Sequence, residues 1–268
     1  EAPRLYAAQT IGTGRVCRLK RPVRVGLIDG PLHAGHPALR DVRIRQFDAR
    51  PPGAAALDRD HGTGVAQIIA GHHTAGALAG FASGAELYAV TAFARTDAGP
   101  NGRLDSIALG LDWLAGQGVA VVNLSFSGPV NATLDRVLEL AAASGPVLVA
   151  AAGNSARARP EYPAASPHTI AVTAVDARHR LYRRANRGEH IEFAAPGVDL
   201  WSARARGAGY QTGTSFAAPI VTALLAHVRA SGPLSLQTAR RSLARDVRDL
   251  GAPGRDTSFG HGLISGPC

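Results

Sequence analysis

Between residues 85 and 152 short apolar runs alternate with longer amphipathic ones, and this alternation restricts the fold more than any other feature of the chain. The spacing predicts strands near 85–93, 119–126 and 146–152, with helices near 104–117 and 132–144 between them. Strands separated by helices pair in parallel through right-handed crossovers, and the helices cover both faces of the sheet. The expected fold is α/β: a doubly wound, mostly parallel sheet flanked by helices on both faces, in a single domain. A strand near 169–175, a hairpin-like pair near 190–204, an apolar helix around Ser215 and an amphipathic helix near 235–246 complete the pattern. With 268 residues, 46% of them hydrophobic, the chain can bury one core of ordinary size. No repeat, low-complexity tract or linker divides it. Residues 1–22 are expected to form an N-terminal arm, and residues 23–268 the domain.

Three polar residues stand where such a fold exposes chemistry. The run Val23–Ile28 reads as a short buried strand and ends at Asp29-Gly30-Pro31, which puts a carboxylate at the strand's C-terminal edge, where open α/β sheets bind ligands. His61, in Asp60-His61-Gly62-Thr63-Gly64, precedes the apolar stretch Val65–Ala70 and so sits near a helix start. Ser215, in Gly213-Thr214-Ser215-Phe216-Ala217-Ala218-Pro219, begins the apolar helix, where unpaired N–H groups and the positive dipole end favour developing negative charge. Each residue alone reads equally as a turn former, a surface imidazole or a helix cap. Together they supply a nucleophile, a base and a group to orient the base.

The order Asp29, His61, Ser215 is that of the subtilisin-like serine peptidases. The chain resembles that family in six ordered motifs: Val25–Asp29 with His36-Pro37, His61-Gly62-Thr63, Asn123-Leu124-Ser125, Ala151-Ala152-Gly153-Asn154, Ala195-Pro196-Gly197 and Gly213–Pro219. They run from about residue 23 to about residue 264. The resemblance implies the same doubly wound sheet and a serine endopeptidase acting on proteins or peptides. In it Ser215 is the nucleophile, His61 the general base and acid, Asp29 the orienting carboxylate and Asn154 an oxyanion donor beside the Ser215 N–H. It also implies that the strand Ser125-Phe126-Ser127-Gly128 and the stretch through Ala152 and Gly153 wall the pocket for the side chain before the scissile bond. Glu161, just ahead of Tyr162-Pro163, would be its floor. A carboxylate there favours Arg or Lys in the substrate, unless Glu161 turns outward as a loop acid.

Several positions depart from the family pattern. Gly30-Pro31 follows the aspartate in place of Thr/Ser-Gly, so side-chain support from that neighbour is missing. Gly64 replaces a second histidine, and Phe216 replaces a methionine after the nucleophile. The segment Gly71–Gly84 is shorter than the loop that carries calcium in many relatives and has no carboxylate, so calcium is not expected there. His33, His36, His72 and His73 do not have the spacing of a zinc site. No metal and no cofactor is expected.

Cys17 and Cys268 are the only cysteines, and they lie outside every motif. In an exported protein they would form a disulfide clasping the termini, and otherwise two free thiols. The net charge is +9, with Lys20 the sole lysine, but the arginines are spread along the chain rather than gathered in an aromatic-studded patch. Nucleic-acid binding is therefore not expected, and general attraction to acidic substrates or anionic cell surfaces stays open as a lesser alternative. No apolar run is long enough for a transmembrane helix. The chain begins at Glu1 and contains no methionine, so a mature enzyme freed from a pro-segment, secreted or periplasmic, is expected. The same site could also serve an acyl transferase that passes its acyl group to an amine, or a silent peptidase fold kept for binding.

Overall fold

A computed structural model describes residues 6–13, 18–72, 76–97 and 99–266. Cys17, Cys268 and His73 lie outside the described residues, and with them the expected disulfide. In chain order the elements are α1 (Tyr6–Thr10), β1 (Arg24–Asp29), β2 (Ile44–Asp48), α2 (Asp60–Ala70), β3 (Glu86–Thr91), β4 (Phe93–Thr96), β5 (Gly99–Gly102) and α3 (Leu104–Gly116). Then follow β6 (Val121–Leu124), α4 (Ala132–Ala143), β7 (Val147–Ala151), β8 (Thr169–Val175), β9 (Phe193–Pro196), β10 (Leu200–Ala203), β11 (Ala208–Gln211), α5 (Thr214–Ser231) and α6 (Leu236–Ala244).

Seven strands make one parallel sheet in the order β2-β3-β1-β6-β7-β8-β9. The two-residue period of a strand sends its side chains to two cores. Val25, Leu27, Leu87, Ala89, Val147 and Val149 pack with α2, α5 and α6 on one face. Ile28, Tyr88, Val90, Leu148 and Ala150 pack with α3 and α4 on the other. A parallel sheet covered on both sides has no wet face, which is why β7 is apolar throughout and β8, wholly buried, is broken only by Thr169 and Thr173. Each fully buried Leu, Ile or Val in these layers contributes about 1.5–3 kcal/mol.

Two details differ from the expectation. The hairpin is not at 190–204: β9 is wholly buried and joins β8 in the main sheet, and β10 pairs instead with β11 through a turn closed by Arg204 N–H to Gly207 C=O, 3.1 Å. Gly207 sits there at φ 69°, a conformation that glycine adopts without penalty. The strand expected over 85–93 breaks at Ala92, after which β4 leaves the sheet to pair with β5. In the arm, α1 is anchored by the Tyr6 hydroxyl, which donates to Val198 C=O (2.5 Å) and accepts from Val198 N–H (3.2 Å).

Candidate active site

After β1 the chain adds strands on one side of the sheet, and from β6 onward on the other, so β1 and β6 flank the topological switch point. A crevice opens there at the strands' C-terminal ends. Asp29 is the last residue of β1, and Ser125 follows β6 directly. The first turn of α2 is brought against β1 by a glycine: a Cβ at Gly62 would lie 2.7 Å from Pro31 O and 2.8 Å from Gly30 O. That close approach sets His61 Nδ1 2.8 Å from Asp29 Oδ1. Asp29 is 5% exposed. Its Oδ1 also accepts Gly30 N–H at 2.6 Å, while Oδ2 is buried without a partner among the described residues. The missing side-chain support expected at Gly30-Pro31 is thus visible as an orphaned oxygen.

Burial lowers the His61 pKa, but the charge of Asp29, its hydrogen bond and a smaller effect of Asp58 outweigh that and hold it above the ordinary value of about 6.5. The Asp29 contact requires a proton on Nδ1, which leaves Nε2 of the neutral ring as the acceptor. The ring lies 5.1 Å from that of Phe216, the residue after Ser215, so the imidazole stands against the first turn of α5. Among the described residues no His61–Ser215 hydrogen bond is formed, a spacing common in unliganded peptidase sites. Gly64 has no room for the histidine of the family pattern, since a Cβ there would meet Gln211 Nε2 at 2.4 Å and Ala203 O at 3.0 Å.

On the other side of Ser215, Asn154 is held by its oxygen. Oδ1 accepts both Thr214 N–H and Thr214 Oγ1–H at 3.0 Å, and Thr214 Oγ1 accepts Gly153 N–H at 3.1 Å. The amide orientation is therefore fixed, with Nδ2 turned toward Ser215. A Cβ at Gly213 would lie 3.1 Å from Ser215 Oγ and 3.3 Å from Asn154 Nδ2, so the hydroxyl and the amide border the same small space.

Pro219 stands four residues after Ser215, inside α5, and has no N–H to give the Ser215 carbonyl. Ser125 Oγ donates to that carbonyl at 2.8 Å instead. Asn123 Nδ2 donates to Ser125 Oγ (2.7 Å), and Thr222 Oγ1 donates to Asn123 Oδ1 (3.1 Å). Reading the motif as a pocket wall overlooked this role of Ser125. The signal was present, because a proline four residues beyond a buried helical carbonyl demands a substitute donor.

Beyond Ser125 the chain is not a strand, as expected, but leaves the sheet after Leu124 and pairs at Gly128 with Tyr162 (N···O 2.8 and 2.9 Å). That pairing draws the two expected walls together with Glu161. Glu161 is 7% exposed and turns inward. Its Oε2 and Ser127 Oγ lie 2.6 and 2.9 Å from where a Cβ on Gly153 would be. Its one ion-pair contact among the described residues is Arg157 Nη1 at 3.9 Å, from an exposed side chain. Ala152 is pinned by its N–H to Val172 C=O (2.9 Å) and by Asn186 Nδ2 to its own C=O (3.0 Å). A cavity of about 320 Å³ adjoins His61, lined by Leu57, Asp58, Phe93, Phe126 and Ser127 among others.

The histidines outside the site are dispersed. His33 Nδ1 meets Ala205 O (2.7 Å), His36 Nε2 meets Gly207 O (2.8 Å), and His72 is 3.6 Å from Asp41. Among the described residues no group of three or more His, Cys, Asp or Glu is placed to hold a metal ion. Nor is any helix long and apolar enough to cross a membrane.

Comparison with known proteins places the chain in a family. Residues 20–262 match the sequence model of the subtilase family. The chain is 33% identical to Subtilisin BL of Lederbergia lenta over 249 residues, 91% of this chain and 88% of that protein. It is 34% identical to the Minor extracellular protease Epr of Bacillus subtilis (strain 168) over 212 residues, 77% of this chain but only 32% of Epr. Among solved structures, a serine-to-alanine mutant of the protease domain of PatA superposes with a TM-score of 0.78 at 27% identity, covering 91% of this chain and 92% of that one. The carboxylate, imidazole and hydroxyl at the switch point thus stand in a chain that belongs to the subtilase family of serine endopeptidases.

Proposed function

We propose that Asp29, His61 and Ser215 act as the catalytic triad of this peptidase, with Asn154 as oxyanion donor, and that the enzyme cleaves after basic residues. Ser215 Oγ attacks the scissile carbonyl carbon as its proton passes to His61 Nε2. Asp29 keeps the Nδ1–H tautomer and stabilises the imidazolium without taking the proton. The carbonyl oxygen gains charge between Asn154 Nδ2 and the unpaired Ser215 N–H at the start of α5. When the C–N bond breaks, His61 returns the proton to the leaving amine, and water then releases the acyl group by the same route. The clamp of Thr214 on Asn154 Oδ1 carries this reading, because it presents the amide hydrogens to the reacting oxygen before substrate arrives.

Specificity for Arg or Lys is supported by the buried carboxylate of Glu161 between Gly153 and Ser127, whose own partner is distant and exposed. A substrate cation entering between those walls would compensate the charge. Export belongs to the same reading, supported by a relative named as extracellular, and release from a pro-segment would accompany it. Fluorogenic peptides varied only before the scissile bond test the specificity. Arg and Lys are expected to exceed Phe and Leu by at least ~10-fold in kcat/KM. Glu161→Gln is expected to remove most of that difference, and a wild-type preference for Phe or Leu overturns the assignment.

A further inference from the structure

The loop that follows Asn154 and the loop at 183–189 are sewn into one ridge. Ala156 N–H donates to Arg184 C=O (2.8 Å) and Arg187 N–H to Arg157 C=O (2.9 Å). Asn186, fully buried, joins them from within: its Oδ1 accepts the N–H groups of Ser155 and Arg157 at 3.1 Å, and its N–H donates to Gly153 C=O at 3.0 Å. The same residue supports Ala152 of the pocket wall, so the ridge is rigidly tied to the reaction centre.

Five exposed arginines, Arg157, Arg159, Arg183, Arg184 and Arg187, project from this ridge. Arg157 has only the 3.9 Å contact to Glu161, and the other four form no ion pair among the described residues. Glu161 and the exposed Glu189 are the acids of the two loops, and Glu161 is turned inward. Nearby, Arg180 is matched by Asp176 at 2.7 Å, so charge on this side of the molecule is neutralised where the fold uses it. Five like charges beginning three residues after the oxyanion donor repel one another and set up a positive field over the chain that crosses Asn154.

We infer that this ridge is a recognition surface for acidic residues flanking the scissile bond. The preferred substrate or inhibitor segment would then be a basic residue for the pocket set within an acidic stretch. The inference rests on the peptidase reading and names its substrate class more closely. Exposed pairs of this kind are worth little singly and act together, so the effect is expected in kcat/KM and to fall with salt.

The test uses peptides with one cleavable Arg, carrying Glu or Gln at each position up to four residues on either side. At low ionic strength Glu on one flank is expected to raise kcat/KM about 10-fold over Gln, shrinking to within about twofold at 0.5 M salt. Arg183→Glu/Arg184→Glu is expected to abolish or invert the preference while cleaving the all-Gln peptide at the wild-type rate. Equal rates for Glu and Gln, or a preference that the double variant retains, overturn the ridge assignment and leave the peptidase reading standing. Failure to cleave the all-Gln peptide would instead count against that reading.

Discussion

On the Asn154 side of Ser215 the side chains of Thr214, Ser125, Asn123 and Thr222 are joined by hydrogen bonds, whereas on the Asp29 side one buried carboxylate oxygen has no partner among the described residues. The contrast matches the role proposed for each side. An oxyanion donor must already point at the reacting oxygen, since reorientation during the reaction would consume the stabilisation it provides. The orienting carboxylate needs only one firm contact to the imidazole. Its second oxygen, left without donors, keeps negative charge less stabilised by neighbours and more available to the imidazolium.

Breaking the Asp29 side has the largest expected effect. Asp29→Asn should lower kcat by about 10⁴-fold, the size known for this loss in serine peptidase triads, subtilisin included. It should also move the acidic limb of kcat/KM. The base must be neutral, so wild-type activity rises with pH through a His61 pKa held above 6.5, and without the Asp29 charge that midpoint falls. Breaking the partnered side costs less: Asn154→Ala should reduce kcat by about 10²–10³ with little change in KM, a magnitude known from subtilisin itself.

Two smaller changes address the support around the site. Ser125→Ala leaves the Ser215 carbonyl and Asn123 Nδ2 unpaired, and should cost about 1–3 kcal/mol, read as a Tm lowered by several degrees. Adding Pro219→Ala restores a backbone donor to that carbonyl, so the double variant should recover part of the loss. The smallest effect sharpens the comparison from the other side. A Cβ at Gly30 would meet only Leu57 Cδ1, at 3.5 Å, so Gly30→Ser can offer a hydroxyl to Asp29 Oδ2. A gain of about 1 kcal/mol in urea unfolding is expected, and a loss would show that the orphaned oxygen is not reached.

Much of this was legible along the chain. The three residues of the proposed triad stand at a strand end and at two helix starts, places that local sequence marks by apolar runs broken with glycine and polar residues. The sheet was legible for the same reason, since strands buried on both faces are apolar without interruption, as in Val147–Ala151. What escaped were pairings between distant positions. Ser125 reaches Ser215 across 90 residues, Thr222 reaches Asn123 across 99, and Asn186 reaches Ala152 across 34. The hairpin was misplaced because β9 and β10 are similarly apolar, and only the room beside β8 decides which of them joins the sheet.

The sequence by itself determined the alternation of strand and helix, the order of Asp29, His61 and Ser215, and the departures at Gly30, Gly64 and Phe216, because these depend on local periodicity and on which residue types occupy which positions. Only the tertiary structure decided that Ser125 serves the carbonyl Pro219 cannot satisfy, that Glu161 turns inward, and that two arginine-bearing loops form one ridge beside Asn154. The physical reason is that a hydrogen bond or a charge contact depends on distance in space, and periodicity along a chain carries no information about which remote segments close packing will bring within 3 Å of one another.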